Sequence, residues 1–133
     1  MLITPPPRAL IADDSAGTRE VIAAALKACG YEIVAQCQDG AEAVAKAKAY
    51  RPNLVTMDII MLQLSGKDAA LQIHEALPDT KILMVTSMSQ DGVLKDLRAK
   101  GFGILIKPII HAHQVWQAIA ELDALSPSAP EPQ

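Results

Sequence analysis

Six side chains in this sequence have the types and the spacing to do chemistry together: Asp13, Asp14, Asp58, Thr86, Ser87 and Lys107. Each falls just past a short apolar run. Asp13 and Asp14 follow Ala9–Ala12, Asp58 follows Leu54–Met57, Thr86 and Ser87 follow Ile82–Val85, and Lys107-Pro108 follows Ile104–Ile106. If those runs are parallel strands of one sheet, their carboxyl ends bring three carboxylates, the hydroxyls and an ammonium to a common rim, where open α/β sheets bind ligands. Carboxylates at close range repel unless positive charge sits among them. An oxygen-rich cluster with a lone Lys suits a hard divalent cation. Mg2+ takes a few carboxylates and a phosphoryl oxygen and keeps several waters. A carboxylate can also attack phosphorus and form an aspartyl-phosphate. The cation and Lys107 would then neutralise the transferring group, and Thr86 would donate to one of its oxygens. The rim reads as a site for phosphoryl transfer to or through a carboxylate. Asp58 is the expected acceptor, because it stands alone at the end of the central strand. Asp13 and Asp14, adjacent on a turn, are the expected metal ligands. Taken singly, an Asp after a strand is commonly a cap or turn former; the conjunction at four strand ends is what points to function.

The elements that must position these residues alternate along the chain. Ala9–Ala12, Glu32–Ala35, Leu54–Met57, Ile82–Val85 and Ile104–Ile106 are short and rich in Ile, Val and Leu, as strands covered on both faces of a parallel sheet are. Helical patterns lie between and after them. In Thr18–Cys29, Val21, Ile22, Ala25, Leu26 and Cys29 share a face, and Gly30 closes the helix. Ala41–Tyr50 ends before Pro52, and Lys67–Leu77 follows the capping-box spacing of Ser65 and Asp68 and ends before Pro78. Gln90–Lys100 turns Val93, Leu94 and Leu97 inward, and His111–Leu125 carries Val115, Ile119 and Leu122 on one stripe. Strand–helix repeated five times predicts an α/β domain, a flavodoxin-like (βα)5 doubly wound parallel sheet with strand order 2-1-3-4-5.

Composition narrows the alternatives. The length of 133 residues predicts one domain, against roughly 150 residues per domain. Six of the nine prolines lie in the terminal segments. The folded part is therefore expected at 8–125, with 1–7 a disordered N-terminal tail and 126–133 a disordered C-terminal tail or linker start. Lys and Arg number 12 against 15 Asp and Glu, with no basic run, so the phosphate-backbone stripe of a nucleic-acid binder is missing. Aromatics make up 3% of the chain, too few for base-stacking platforms. No apolar stretch reaches the roughly 18 residues that span a membrane, and no signal-peptide pattern opens the chain. Two cysteines, Cys29 and Cys37, make no disulfide or zinc framework and read as small buried thiols in a reducing cytoplasm.

The motifs Leu10-Ile-Ala-Asp-Asp-Ser15, Gly30-Tyr-Glu-Ile-Val34, Asp39-Gly-Ala-Glu-Ala43, Pro52-Asn-Leu-Val-Thr-Met-Asp-Ile59, Gly66, Val85-Thr-Ser87 and Lys107-Pro108 occur in this order. With them the sequence resembles a response-regulator receiver domain, the CheY-like family of two-component signalling, from Ala9 to Leu122. The resemblance implies phosphorylation of Asp58 by a histidine kinase or phosphotransfer protein. It implies Mg2+ held by Asp13, Asp14, Asp58 and the Ile60 backbone carbonyl, and a phosphoryl group bound and sensed by Thr86, Ser87 and Lys107. It also implies a cis bond before Pro108. Such a domain is not an enzyme beyond catalysing its own phosphorylation and slow dephosphorylation. The expected output is a protein partner on the face of the fourth helix, fifth strand and fifth helix, with no nucleic acid or membrane contact.

Several positions depart from the family pattern. Met61-Leu62 replaces the usual Met-Pro, and Ser87 stands where Ala or Gly is usual. Ile104 replaces the aromatic residue three before the Lys, which leaves Phe102 as the aromatic on that strand side of the switch region. Ile60 and Met88 flank the path of a hydrolytic water in the family fold; both are apolar, so a long-lived phosphoryl group is expected. Val85–Gln90 and Met57–Met61 look closest to chemotaxis-type receivers, which favours a single-domain regulator. The alternatives are a receiver from a larger regulator with an output domain after residue 133, and a Mg2+-dependent phosphohydrolase. The latter type places Asp-x-Asp after its first strand, a spacing Asp13-Asp14-Ser15 lacks. A flavodoxin would need a hydroxyl-rich phosphate loop and aromatics, and neither is present.

Overall fold

The computed structural model describes residues 4–61, 63–87 and 91–125. Leu62 and the segments 1–3, 88–90 and 126–133 lie outside the described residues, and with them Met88 and the Gln90 start expected for the fourth helix. Strands and helices alternate: β1 (Arg8–Ala12), α1 (Ala16–Ala28), β2 (Glu32–Cys37), α2 (Gly40–Tyr50), β3 (Leu54–Met57), α3 (Gly66–Ala76), β4 (Lys81–Thr86), α4 (Asp91–Ala99), β5 (Gly103–Ile106) and α5 (Ala112–Leu125). The sheet is parallel in the order β2-β1-β3-β4-β5. That is the doubly wound arrangement the alternating pattern predicts.

The period of two along each strand divides its side chains between two cores. Ala9 and Ile11 of β1, with Leu83 and Val85 of β4, pack under Ile22 and Leu26 of α1 and Val115, Ile119 and Leu122 of α5. Leu10 and Ala12 of β1, Val55 and Met57 of β3, and Ile82 and Met84 of β4 face α2, α3 and α4, whose Val44, Ile73 and Leu97 close that side. No helix among the described residues is long and apolar enough to cross a membrane.

Helix starts are set by side-chain caps. The Ser15 hydroxyl accepts from the Thr18 N–H, so α1 begins at Ala16, two residues before the Thr18 start that the sequence pattern suggests. Asp39 caps α2 through the Glu42 N–H. Ser65 accepts from the Asp68 N–H at 3.2 Å and donates its hydroxyl proton to the Asp68 carboxylate at 3.0 Å. The reciprocal pair is therefore formed, but on the Ser65 hydroxyl rather than on its backbone N–H. Gly30 takes a φ of +98° just past α1, a conformation that an L side chain resists.

Two expectations need correction. β2 extends past Ala35 to Cys37, because its pairing with β1 continues to Ala12 opposite Cys37. Of the two thiols only Cys37 is buried; Cys29 is exposed at the end of α1, where its Sγ–H donates to the Leu26 carbonyl at 3.4 Å. Burial pushes the Cys37 thiol up to about 12, with the charge of Glu42 adding to it. It has no thiolate character at neutral pH.

Candidate functional site

The ladders of β1 with β2 and of β3 with β1 each continue by one residue. The Asp13 N–H donates to the Cys37 carbonyl at 3.0 Å, and the Asp58 N–H donates to the Ala12 carbonyl at 3.0 Å. Both Asp side chains are therefore launched from fixed backbone. Asp13 is fully buried and Asp58 is 6% exposed, while Asp14 on the turn is exposed. One carboxylate oxygen from each of Asp13, Asp14 and Asp58 lies within 4.8 Å of the others. No His or Cys joins the group among the described residues. The ring of His74 instead meets Phe102 edge-on, at 5.4 Å between centroids.

Lys107 reaches into the cluster from the end of β5. Its Nζ is 2.8 Å from Asp13 Oδ2 and 3.3 Å from Asp58 Oδ2, so one ammonium bridges the two buried carboxylates. The Lys107 N–H donates to the Thr86 carbonyl at 2.9 Å, which joins the ends of β4 and β5. Thr86 is fully buried as the last residue of β4, one residue later than the apolar run suggests, and Ser87 after it is exposed. The Lys107–Pro108 peptide bond is cis. Beside Lys107 a cavity of about 560 Å³ opens between Ser15, Thr18, Val21, Ser87 and Ile109.

The charges explain one another. Burial raises the Asp58 pKa; Lys107 opposes the shift and the neighbouring Asp13 charge adds to it. Burial alone would lower the Lys107 pKa. The hydrogen bond to Asp13 and the charges of Asp58 and Asp13 outweigh burial, and the ammonium is held above its ordinary value. Lys107→Ala should therefore destabilise the protein in EDTA at pH 7, by about 2 kcal/mol, because two buried carboxylates lose their shared cation while part of the site stays solvated. Urea unfolding measures this. A variant as stable as the wild type would show that solvent already screens the pair.

Two features of the site go beyond the sequence reading, which does not single out Arg19 and names Gly66 only as a motif residue. Arg19, one turn into α1, donates from Nη1 to the Asp13 carbonyl at 2.6 Å, and the Ser15 N–H donates to Asp13 Oδ1 at 2.9 Å. Asp13 is thus held through its N–H, its carbonyl and both carboxylate oxygens. Gly66, the first residue of α3, donates its N–H to the Ile59 carbonyl at 2.7 Å. A Cβ at Gly66 would lie 1.6 Å from the Asp58 carbonyl oxygen. The helix rests directly on the backbone that presents Asp58. Ile60 is 60% exposed, and its N–H donates to Asp58 Oδ1 at 3.3 Å. Met88, paired with it in the sequence reading, lies outside the described residues.

The switch-region residues part company. Ile104 is half-buried on the α4 side of β5, while Phe102 is 2% exposed, just before the start of the strand and against His74. Trp116, 39% exposed, donates its Nε1–H to the Ala25 carbonyl at 2.7 Å, so it lies on the α1–α5 seam.

Residues 9–120 match the family described as Response regulator receiver domain. The chain belongs to the response-regulator receiver family. Receivers are signalling proteins of two-component systems rather than a family of catalytic enzymes, and this one is of CheY type. It is 37% identical over 113 residues to the chemotaxis protein CheY of Bacillus subtilis, covering 84% of this chain and 93% of that protein. It is 39% identical over 104 residues to the transcriptional regulatory protein PdtaR of Mycobacterium tuberculosis, covering 77% of this chain and 50% of that one. The fold is similar to a chain of the CheX–CheY–BeF3–Mg2+ complex from Borrelia burgdorferi. There the TM-score is 0.82 and the identity 28%, over 88% of this chain and 89% of that one.

Proposed function

We propose that this receiver accepts a phosphoryl group on Asp58 from a histidine kinase or phosphotransfer protein and so switches a protein-binding face. The observation that carries this reading is the gathering of Asp13, Asp14 and Asp58 oxygens within 4.8 Å around an ammonium that bridges two of them. An all-oxygen donor set of this kind fits Mg2+. Asp13, Asp14, Asp58 and the Ile60 carbonyl would hold the ion, which when bound neutralises charge on the transferring group. A carboxylate oxygen of Asp58 attacks phosphorus; the bond from phosphorus to the donor's imidazole nitrogen breaks, and the imidazole keeps the electron pair and takes up a proton. Lys107 pairs with one phosphoryl oxygen, the Thr86 hydroxyl donates to another, and Ser87 lines the approach. Ile60 and Met88 offer a hydrolytic water no hydrogen bond, so the acyl phosphate is long-lived.

The Thr86–Lys107 backbone bond couples β4 to β5, so drawing both side chains toward the phosphoryl group shifts the α4–β5–α5 face. Ile104 and Ile106 lie on β5 there, and an output protein binds that face; Phe102 and Ile104 form the switch region. The likeness to a CheY solved with CheX, BeF3 and Mg2+ supports the cation, the phosphoryl analogue and the protein partner together. The CheY relatives support a stand-alone, cytoplasmic, chemotaxis-type receiver. PdtaR, matched over half its length, favours the alternative of a receiver joined to an output domain.

Acetyl phosphate tests the reading without the kinase. With Mg2+ the intact mass should rise by one phosphoryl group, and in EDTA it should not. An unchanged mass with Mg2+ present would overturn the proposal.

A further inference from the structure

Lys107 opens a loop whose far end is gripped by one side chain. Gln114, in the first turn of α5, accepts through Oε1 from the Ile110 N–H at 2.6 Å and the His111 N–H at 2.9 Å. Its Nε2–H donates to the Pro108 carbonyl at 3.2 Å. The residue before α5 is His111, outside the Ser, Thr, Asp and Asn set that caps helices well. Gln114 reaches back and accepts from the N–H of His111 and of Ile110 just ahead of the helix, as the third helical residue of a capping box does toward its N-cap.

Capping requires acceptors alone. A Glu at 114 would serve at least as well, since a negative charge is favoured at a helix N-terminus. The Nε2–H bond does something else. It fixes the carbonyl of Pro108, the residue directly after Lys107. The Lys107 N–H is tied to Thr86 on the other side, at 2.9 Å. Lys107 therefore leaves the backbone between two anchors, one on β4 and one on the Gln114 amide. From there its ammonium must span two carboxylates, at 2.8 Å and 3.3 Å.

We propose that Gln114 is a positioning residue for Lys107, its amide holding the Pro108 carbonyl so that the ammonium sits between Asp13 and Asp58. The consequence for rate rests on the phosphoryl-acceptor reading; the consequence for Lys107 itself does not. Misplacing a catalytic group by about 1 Å costs up to about 100-fold in rate. Here the loop keeps its Thr86 anchor, so the expected loss is about tenfold, a part of that range.

Gln114→Glu separates the two jobs, because it keeps the acceptors and removes the donor. In the metal-free protein it should unfold at or above the wild-type urea midpoint. Its Lys107 15Nζ–1H cross-peak should nonetheless move or broaden, and acetyl phosphate labelling should be about tenfold slower than wild type. Gln114→Ala, which loses both jobs, should show the same Lys107 change together with a lower midpoint. A wild-type Lys107 cross-peak in either variant would leave Gln114 a helix cap alone and overturn the proposal. If the wild type takes no label, the acceptor reading falls, and the metal-free cross-peak still decides the role of Gln114.

Discussion

Asp58→Asn should abolish labelling by acetyl phosphate and at the same time raise the thermal midpoint of the metal-free protein at pH 7. The first effect follows from losing the attacking oxygen, since a carboxamide is not a nucleophile toward phosphorus. The second follows from burial. Asp58 is 6% exposed, and burial, with the Asp13 charge adding, raises its pKa against the opposing pull of Lys107. The folded state thus binds the Asp58 proton more readily than the unfolded state. Stability from this group is full below the ordinary carboxylate value of 3.8 and is lost as pH rises through the higher folded value. At pH 7 the ionised group stands above that window and weakens the fold, and an uncharged Asn does not. The gain in midpoint should shrink as pH is lowered toward the ordinary value. Wild-type labelling in Asp58→Asn would place the acceptor elsewhere. A lower midpoint at pH 7 would mean that pairing with Lys107 outweighs burial.

Much of this arrangement is legible in the sequence because parallel strands are simple to read. A strand covered on both faces is a short apolar run, and the first polar residue after it marks the rim. Asp13 and Asp58 surface in that way, as does Lys107 after Ile106. Thr86 shows the limit of the method: its pairing with Ile106 keeps it inside β4, so the strand end lies one residue past the last apolar side chain. β2 is cut short in the sequence for a related reason. It is an edge strand, and its exposed Gln36 breaks the apolar run while its ladder to β1 goes on. Arg19 and Gln114 are illegible because a polar residue in a helix's first turns reads as solvated. Only the placement of the Asp13 and Pro108 carbonyls gives each its partner. Phe102 is a further case. Strand periodicity puts it on the same side as Ile104, but it does not show that the chain is still in the core at that point.

Gly66→Ala should destabilise the protein by about 3 kcal/mol, at the upper end of the usual range for overpacking. A Cβ there would lie 1.6 Å from the Asp58 carbonyl oxygen, 2.6 Å from its carbon and 2.8 Å from the Ile59 Cα. All three are backbone atoms, so no rotamer change makes room. Gly66 does not have a positive φ, which means the cost is steric and not a matter of glycine's conformational freedom. The same loop is closed from the other side by Gly40, whose Cβ would lie 2.1 Å from the Leu64 carbonyl oxygen. α2 and α3 thus abut the described backbone at Leu64 and at Asp58 and Ile59. Moving α3 would break the bond from the Gly66 N–H to the Ile59 carbonyl, and moving the Asp58 backbone would carry the acceptor away from Lys107. The variant that survives should therefore also label slowly. Gly92→Ala is the control. A Cβ there meets nothing within 4 Å, and Gly92 lies in the first turn of α4. That change should stabilise by about 0.5 kcal/mol, through helix propensity and a less flexible unfolded chain. Urea midpoints measured side by side should separate the two variants in opposite directions from wild type. A Gly66→Ala protein within about 1 kcal/mol of wild type would show that α3 shifts without strain, and the close seating of that helix on the Asp58 backbone would then not be what fixes the acceptor.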